Sequence, residues 1–121
     1  MSSKGQHICL DYKGFVGTGE WMLKLLQDAV AQSGCREVHA HVENFDGSVS
    51  PPGFAAVVLI DESHVSAHCY ADEGILAVDC FTCGDIDPAG IVDDIHGQLS
   101  EAIPAITLIQ RTELDRFIME G

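Results

Sequence analysis

Positive charge is scarce in this sequence: six lysines and arginines face 19 acidic residues, for a formal net charge of −13. Nucleic-acid binding requires a cationic face that displaces counterions from phosphates, and so few cations cannot build one. An anionic membrane surface is disfavoured for the same reason. The acid excess is what an ordinary acidic soluble protein carries, and it also favours a small cationic ligand. Long apolar runs are missing too, and none approaches the roughly 18 residues of a membrane span. Met1 to Gln6 is polar with no apolar segment behind it, so no signal peptide is expected. Five cysteines are an odd number. Without a secretory signal this points to reduced thiols and a cytoplasmic setting rather than a disulfide framework. Linkers and low-complexity segments are also absent.

What is there suits one domain spanning residues 1–121, long enough for a modest core. A domain this small leaves much apolar surface uncovered, which favours a homodimer. Gln6 to Tyr12 alternates, with Ile8, Leu10 and Tyr12 on one side and His7, Cys9 and Asp11 on the other, as a half-buried strand does. Thr18 can cap a helix from Gly19 to about Ser33, with Trp21, Leu25 and Ala29 at helical spacing and Gly34 as the stop. Glu37 to Phe45 alternates again, and Pro51-Pro52 breaks the loop that follows. Phe54 to Ile60 is continuously apolar, as in a central strand. Further strands are expected at His64 to Tyr70 and Ile75 to Thr82. Pro88 suits the start of a second helix, Ala89 to Ala102, with Ile91, Ile95 and Leu99 on one face. Ile106 to Gln110 reads as a last strand, and Arg111 to Gly121 as a charged tail prone to fraying. The order β-α-β-β-β-β-α-β predicts an α/β two-layer sandwich, a mainly antiparallel sheet with two helices on one face.

The chemistry concentrates between Asp61 and Gly84, DESHVSAHCYADEGILAVDCFTCG. Ser63 stands at the end of an apolar run with His68 five residues on and Cys83 near the end of the next strand. The spacing suggests that the three meet across one pair of strands. A serine near a histidine suits acyl-transfer chemistry, but no GxSxG elbow surrounds Ser63, and a strand-end serine is commonly just a turn residue. Cys80 and Cys83 form a CxxC, which elsewhere serves redox or zinc chemistry at turns and helix starts. Here the pair sits in a strand, where residues three apart point to opposite faces, so no metal site is expected. His64, His68, His39 and His41 are each more often hydrogen-bonded structural residues than ligands.

The stretch ESH-x₃-H … AVD-x-FTCG resembles the signature of the S-adenosylmethionine decarboxylase family in its small prokaryotic form. Gly5-x-His7 and Pro52-Gly53 extend the likeness. The resemblance implies a cytoplasmic decarboxylase of polyamine synthesis, made as a proenzyme and working as a homodimer. It implies self-cleavage between Glu62 and Ser63, through attack of the Ser63 hydroxyl on the Glu62 carbonyl. β-Elimination would then leave Ser63 as a covalent pyruvoyl group, which forms a Schiff base with the substrate amine and stands in for an external cofactor. His68 is then the processing residue and Cys83 the acid that returns a proton to the substrate carbon. On this reading Cys83 shares a face with Ser63 and Cys80 lies on the other.

Three departures leave the substrate open. Where relatives carry GVSG, with a serine used in processing, this chain reads Gly53-Phe54-Ala55-Ala56. Ser66 or a water would have to replace the missing hydroxyl, and a poorly processed regulatory homologue is one alternative. Where relatives read HTWPE, this chain reads His68-Cys69-Tyr70-Ala71-Asp72. Tyr70 and Asp72 are thus the expected substrate-binding residues in place of tryptophan and glutamate. Third, the loop from Asp46 to Pro52 is longer than in relatives, with Phe45 before it matching a pocket-lining phenylalanine. S-adenosylmethionine is the first expectation, with L-ornithine or L-arginine as the alternative.

Overall fold

The computed structural model describes residues 2–119. Its elements are β1 (Ser2–Lys13), α1 (Gly19–Ser33), β2 (His39–Phe45), β3 (Gly53–Ile60), β4 (Ser63–Tyr70), β5 (Ile75–Cys83), α2 (Pro88–Ala102) and β6 (Thr107–Met119). The strands form a six-stranded sheet in the order β2-β3-β4-β5-β1-β6. Every neighbouring pair is antiparallel. The helices pack against one another and against one sheet face, closing the expected two-layer sandwich.

Local chemistry explains the helix ends. The Thr18 hydroxyl accepts the Trp21 N–H at 3.0 Å, and Gly34 takes the left-handed conformation (φ 79°) that ends α1. Asp87 caps α2 through the Ala89 N–H, with Pro88 behind it in the first turn. The buried stripe of α1 is Met22, Leu25, Leu26, Ala29 and Val30, so Trp21 lies at its margin, 38% exposed. In α2, Ile91, Ile95 and Leu99 face the sheet as the spacing required. They share one core with Ile8, Leu10, Val58, Val65, Val78 and Cys80, all buried. Each such aliphatic side chain stabilises the fold by about 1.5–3 kcal/mol relative to exposure.

The tail expected to fray does not. Through residue 119 it is a strand that pairs with β1 from Ser2↔Met119 to Lys13↔Thr107, with a bulge between Asp11 and Tyr12. Glu120 and Gly121 lie outside the described residues. The partner strand is correspondingly longer than the alternation from Gln6 to Tyr12 suggested.

The helices cover one face only. The other, open face carries alternate residues in rows set by the register. One row runs Leu59, His64, Phe81, His7, Leu114 from β3 to β6; the next runs Val57, Ser66, Asp79, Cys9, Thr112; a third runs Ala55, His68, Ala77, Asp11, Gln110. β3 is thus apolar on both faces, though this chain covers only one of them. Among the described residues no helix is long and apolar enough to cross a membrane.

Candidate active site

β3 turns into β4 through two residues, Asp61 and Glu62, between the paired Ile60 and Ser63. So short a hairpin loop needs a positive φ, and Asp61 supplies it at 55°. Asp is one of the few side chains that tolerates this region, because its short polar group bonds locally. The Asp61 carboxylate also accepts from the Arg36 guanidinium, at 3.2 Å from Nε. The Glu62–Ser63 peptide bond therefore sits at the mouth of a constrained turn.

Ser63 is 2% exposed. By alternation it shares the helix-covered face with Val65 and Ala67, opposite Ile60. Cys83 belongs to the open face with Phe81 and Asp79, and Cys80 to the covered face. The expected arrangement, Ser63 with Cys83 and Cys80 opposite, is thus reversed. The two residues meet because each stands at a strand end. The Cys83 N–H donates to Ser63 Oγ at 3.0 Å, and its Sγ lies 3.7 Å from the Glu62 carbonyl oxygen. Backbone and thiol of one residue touch both partners of a single peptide bond. Cys80 points into the core beside Val65, its thiol pushed up to about 12 by burial with help from Asp79 and Cys35. It is inert packing, and the CxxC makes no chelating pair.

His68 does not join them. It lies five strand residues from Ser63, roughly 16 Å at the usual rise, and its side chain is on the open face. There it stands between Ala55 and Ala77, facing a cavity of about 810 Å³ that Phe45, Tyr70, Ala55 and Asp11 also line. The close approach of β3 to β4 at this end depends on Gly53, where a Cβ would fall 1.9 Å from the Cys69 carbonyl oxygen. Of the three expected substrate-binding residues, Phe45 and Tyr70 line this cavity. Asp72 instead borders a smaller neighbouring cleft of about 220 Å³ with Tyr70 and Pro52. Ser66 does not stand in for the hydroxyl missing at Ala55, because its own is donated to Asp79.

Asp79, absent from the sequence-derived site, is the hub of the open face. Its Oδ2 accepts from His7 Nε2 at 2.6 Å and His64 Nε2 at 3.2 Å, and Oδ1 accepts from Ser66. Burial alone would raise this carboxyl, but the bonds from His64, Ser66 and His7 outweigh it and hold Asp79 down to about 2. Arg116 Nη1 lies 3.0 Å from His7 Nδ1. A guanidinium only donates, so Nδ1 accepts and the His7 proton sits on Nε2, aimed at Asp79. By spacing alone His7, His64 and Asp79 could hold a divalent ion. The Arg116 contact opposes it, because metal at Nε2 moves the ring proton to Nδ1, which then wants an acceptor. The signal for this hub was in the sequence: GxH, ESH and AVD-x-F each contribute one member, and period-two alternation puts Asp79 on the same face as Phe81.

Residues 6–112 match the protein family described as S-adenosylmethionine decarboxylase. The chain is 30% identical to the S-adenosylmethionine decarboxylase proenzyme of Symbiobacterium thermophilum, over 91% of this chain and 84% of that one. It is 35% identical to the proenzyme of the same name from Clostridium tetani, over 99% and 92%. Its fold is similar to the crystal structure of the adenosylmethionine decarboxylase from Aquifex aeolicus, with a TM-score of 0.78, 28% identity, and 99% and 96% of the two chains covered.

Proposed function

The chain belongs to the S-adenosylmethionine decarboxylase family, and from that premise we propose that it is a self-processing decarboxylase of S-adenosylmethionine whose reactive group is made from its own Ser63. The observation that carries the reading is the contact set at the turn. Cys83 N–H donates to Ser63 Oγ at 3.0 Å while its thiol faces the Glu62 carbonyl oxygen at 3.7 Å.

The chemistry follows from those atoms. Ser63 Oγ bonds to the Glu62 carbonyl carbon as the Ser63 nitrogen leaves, converting the amide to an ester. Loss of the Ser63 Cα proton breaks the Cβ–O bond and frees residues 1–62 with a new carboxylate at Glu62. The dehydroalanine left at position 63 takes up water, loses ammonia and becomes the pyruvoyl group. The residues present fit that outcome: the hydroxyl is buried, oriented by a backbone N–H, and beside a carbonyl with a polar group at its oxygen. A pyruvoyl group supplies an electron sink for the carboxyl loss from the substrate's α-carbon. Cys83, at the same strand end, is the group in reach to return a proton there.

His68 is the family's expected base for the Cα proton. It is roughly 16 Å away along the strand, so we assign the role to the His68 of a second copy. The open face supports this, because β3 is apolar on both sides and exposes Leu59, while Leu114 and Phe117 are exposed on β6. A homodimer packed through that face would cover them and bring a pocket-bearing end of one sheet to the Ser63 end of the other. Phe45 and Tyr70 would then line the substrate site, with Asp72 at its rim, and the enzyme would work in the cytoplasm.

The test is an intact-mass spectrum under denaturing conditions, followed by a release assay. Two pieces divided at Glu62/Ser63, with labelled CO₂ from S-adenosylmethionine, are expected. A single uncut mass would overturn the enzyme reading and favour a regulatory homologue. Cleavage with CO₂ from ornithine or arginine instead would move the substrate to a basic amino acid.

A further inference from the structure

Besides its ladder pairing with Ile60, two ties fix residue 63 before cleavage: its peptide bond to Glu62, and the bond from Cys83 N–H to its Oγ. The self-cleavage proposed above, on which this inference rests, removes both. The peptide bond is cut, and Oγ departs with the Glu62 carboxylate. Residue 63 becomes a chain end, and chain ends fray unless something else holds them. The reactive group must nonetheless stay in place through every turnover.

The next side chain along the strand is His64, and it is tethered. Its Nε2 donates to Asp79 Oδ2 at 3.2 Å, and the same oxygen takes the His7 Nε2 proton at 2.6 Å. His7 is held in that tautomer by Arg116, so the tie runs from β4 through β5 and β1 to β6. The histidine rings also bracket Phe81, with centroids at 5.7 Å for His64 and 5.5 Å for His7. The side-chain hydrogen bonds at Ser63 Oγ and the Glu62 carbonyl come from Cys83 and not from this set, so the mechanism gives it no chemical step. We propose that Asp79 is a positioning residue that acts through His64, clamping the start of β4 so that the pyruvoyl group at position 63 keeps its orientation after the chain is cut.

The arrangement distinguishes the clamp from general packing. Asp79 is one residue from the core-facing Cys80 and Val78, yet its own carboxylate bonds only to open-face side chains. Its loss should therefore loosen one end of one strand and leave the core intact. A carboxylate kept ionised accepts both histidine protons at once, which a neutral amide does less well.

The experiment compares Asp79→Ala, His64→Ala, the double variant and His64→Gln with the wild type, all as full chains. Steady-state decarboxylation of S-adenosylmethionine is measured together with hydrogen exchange of the backbone. In each alanine variant kcat is expected to fall at least tenfold with KM within about twofold. The double variant should be no worse than Asp79→Ala, since both changes break the same tie. His64→Gln keeps an N–H for Asp79 and should recover most of kcat. Exchange should rise at residues 64–66 and at their ladder partners at the end of β3, and stay unchanged in α1 and α2. Additive losses, no rescue by glutamine, or unchanged exchange at the start of β4 would overturn the clamp. Were the wild type itself uncut, the proposed function would fall. The clamp would fall with it, whereas a cut and active wild type whose exchange at residues 64–66 does not depend on Asp79 would overturn the clamp alone.

Discussion

On the shared-site homodimer proposed above, the separation of Ser63 from His68 makes a quantitative prediction for mixed dimers. Five residues of strand put roughly 16 Å between them, whereas proton removal needs about 3 Å. A copy carrying Ser63→Ala cannot be cut but brings an intact His68. A copy carrying His68→Ala keeps Ser63 but brings no base. Alone, each should stay a single full-length mass. Co-expressed in equal amounts and paired at random, about half of the dimers are mixed, and each mixed dimer holds one complete site, so about a quarter of all sites should be competent. In the spectrum about half of the His68→Ala chains should be divided at Glu62/Ser63, while every Ser63→Ala chain stays whole. The two variants differ in mass, so one spectrum reads both. Were His68 to act within its own chain, co-expression would rescue nothing. An uncut mixture, or a His68→Ala chain that cleaves fully by itself, would refute the assignment across two copies.

Three further outcomes follow from the same geometry. Cys83→Ala keeps the backbone N–H that orients Ser63 Oγ, so it should still cleave, but kcat should drop about 10²- to 10⁴-fold for want of the proton donor; full turnover would remove the thiol from the reaction. Ala55→Ser puts a hydroxyl directly across from His68, the Ser66 hydroxyl being committed to Asp79. It should shorten the half-time of self-cleavage in a time course of intact masses, and an unchanged half-time would show that Ala55 is not limiting. Asp79 has its carboxyl held at about 2 against an ordinary 3.8. A carboxyl depressed on folding stabilises above its unfolded value and loses that contribution as pH falls through the folded one, here on the order of 2 kcal/mol at neutral pH. In an uncut Ser63→Ala background, adding Asp79→Asn should lower the urea midpoint at neutral pH, with the gap closing from about pH 4 to pH 2; a gap constant down to pH 2 would assign the effect to packing.

Most of the fold was legible because its signals are local. Thr18, Gly34 and Pro88 mark helix ends through backbone chemistry that needs no partner, and the Ile91, Ile95, Leu99 spacing identifies the buried face of α2 directly. The start of the last strand was read at Ile106 to Gln110, but its continuation was not legible, for the opposite reason. Arg111 to Met119 mixes charges with Leu114, Phe117 and Ile118, and what makes it a strand is a ladder to β1, a hundred residues away in sequence at Gly5↔Arg116. Trp21 joined the stripe by its helical spacing to Leu25 and Ala29, yet the buried stripe is centred one position on, where Met22 fills the interior at 0% exposure.

At the site, residue types were readable and their grouping only in part, Ser63 meeting Cys83 but not His68. Ser63, His68 and Cys83 were singled out by motif, yet a motif has no distances in it, and a strand turns a spacing of five into a separation of roughly 16 Å with a change of face. Alternation gives faces only within a strand. Ser63 and Cys83 are on opposite faces, and they meet because one begins a strand where the other ends one, a place where side chains reach round the edge of the ladder. Asp79 was missed for the converse reason: it sits mid-strand, where its neighbours are fixed by register with His7 and His64 on other strands rather than by anything adjacent to it. The tie it makes across four strands is therefore invisible until β1, β4, β5 and β6 are set side by side. That is also why a substitution there should be felt at Ser63, a residue Asp79 never touches.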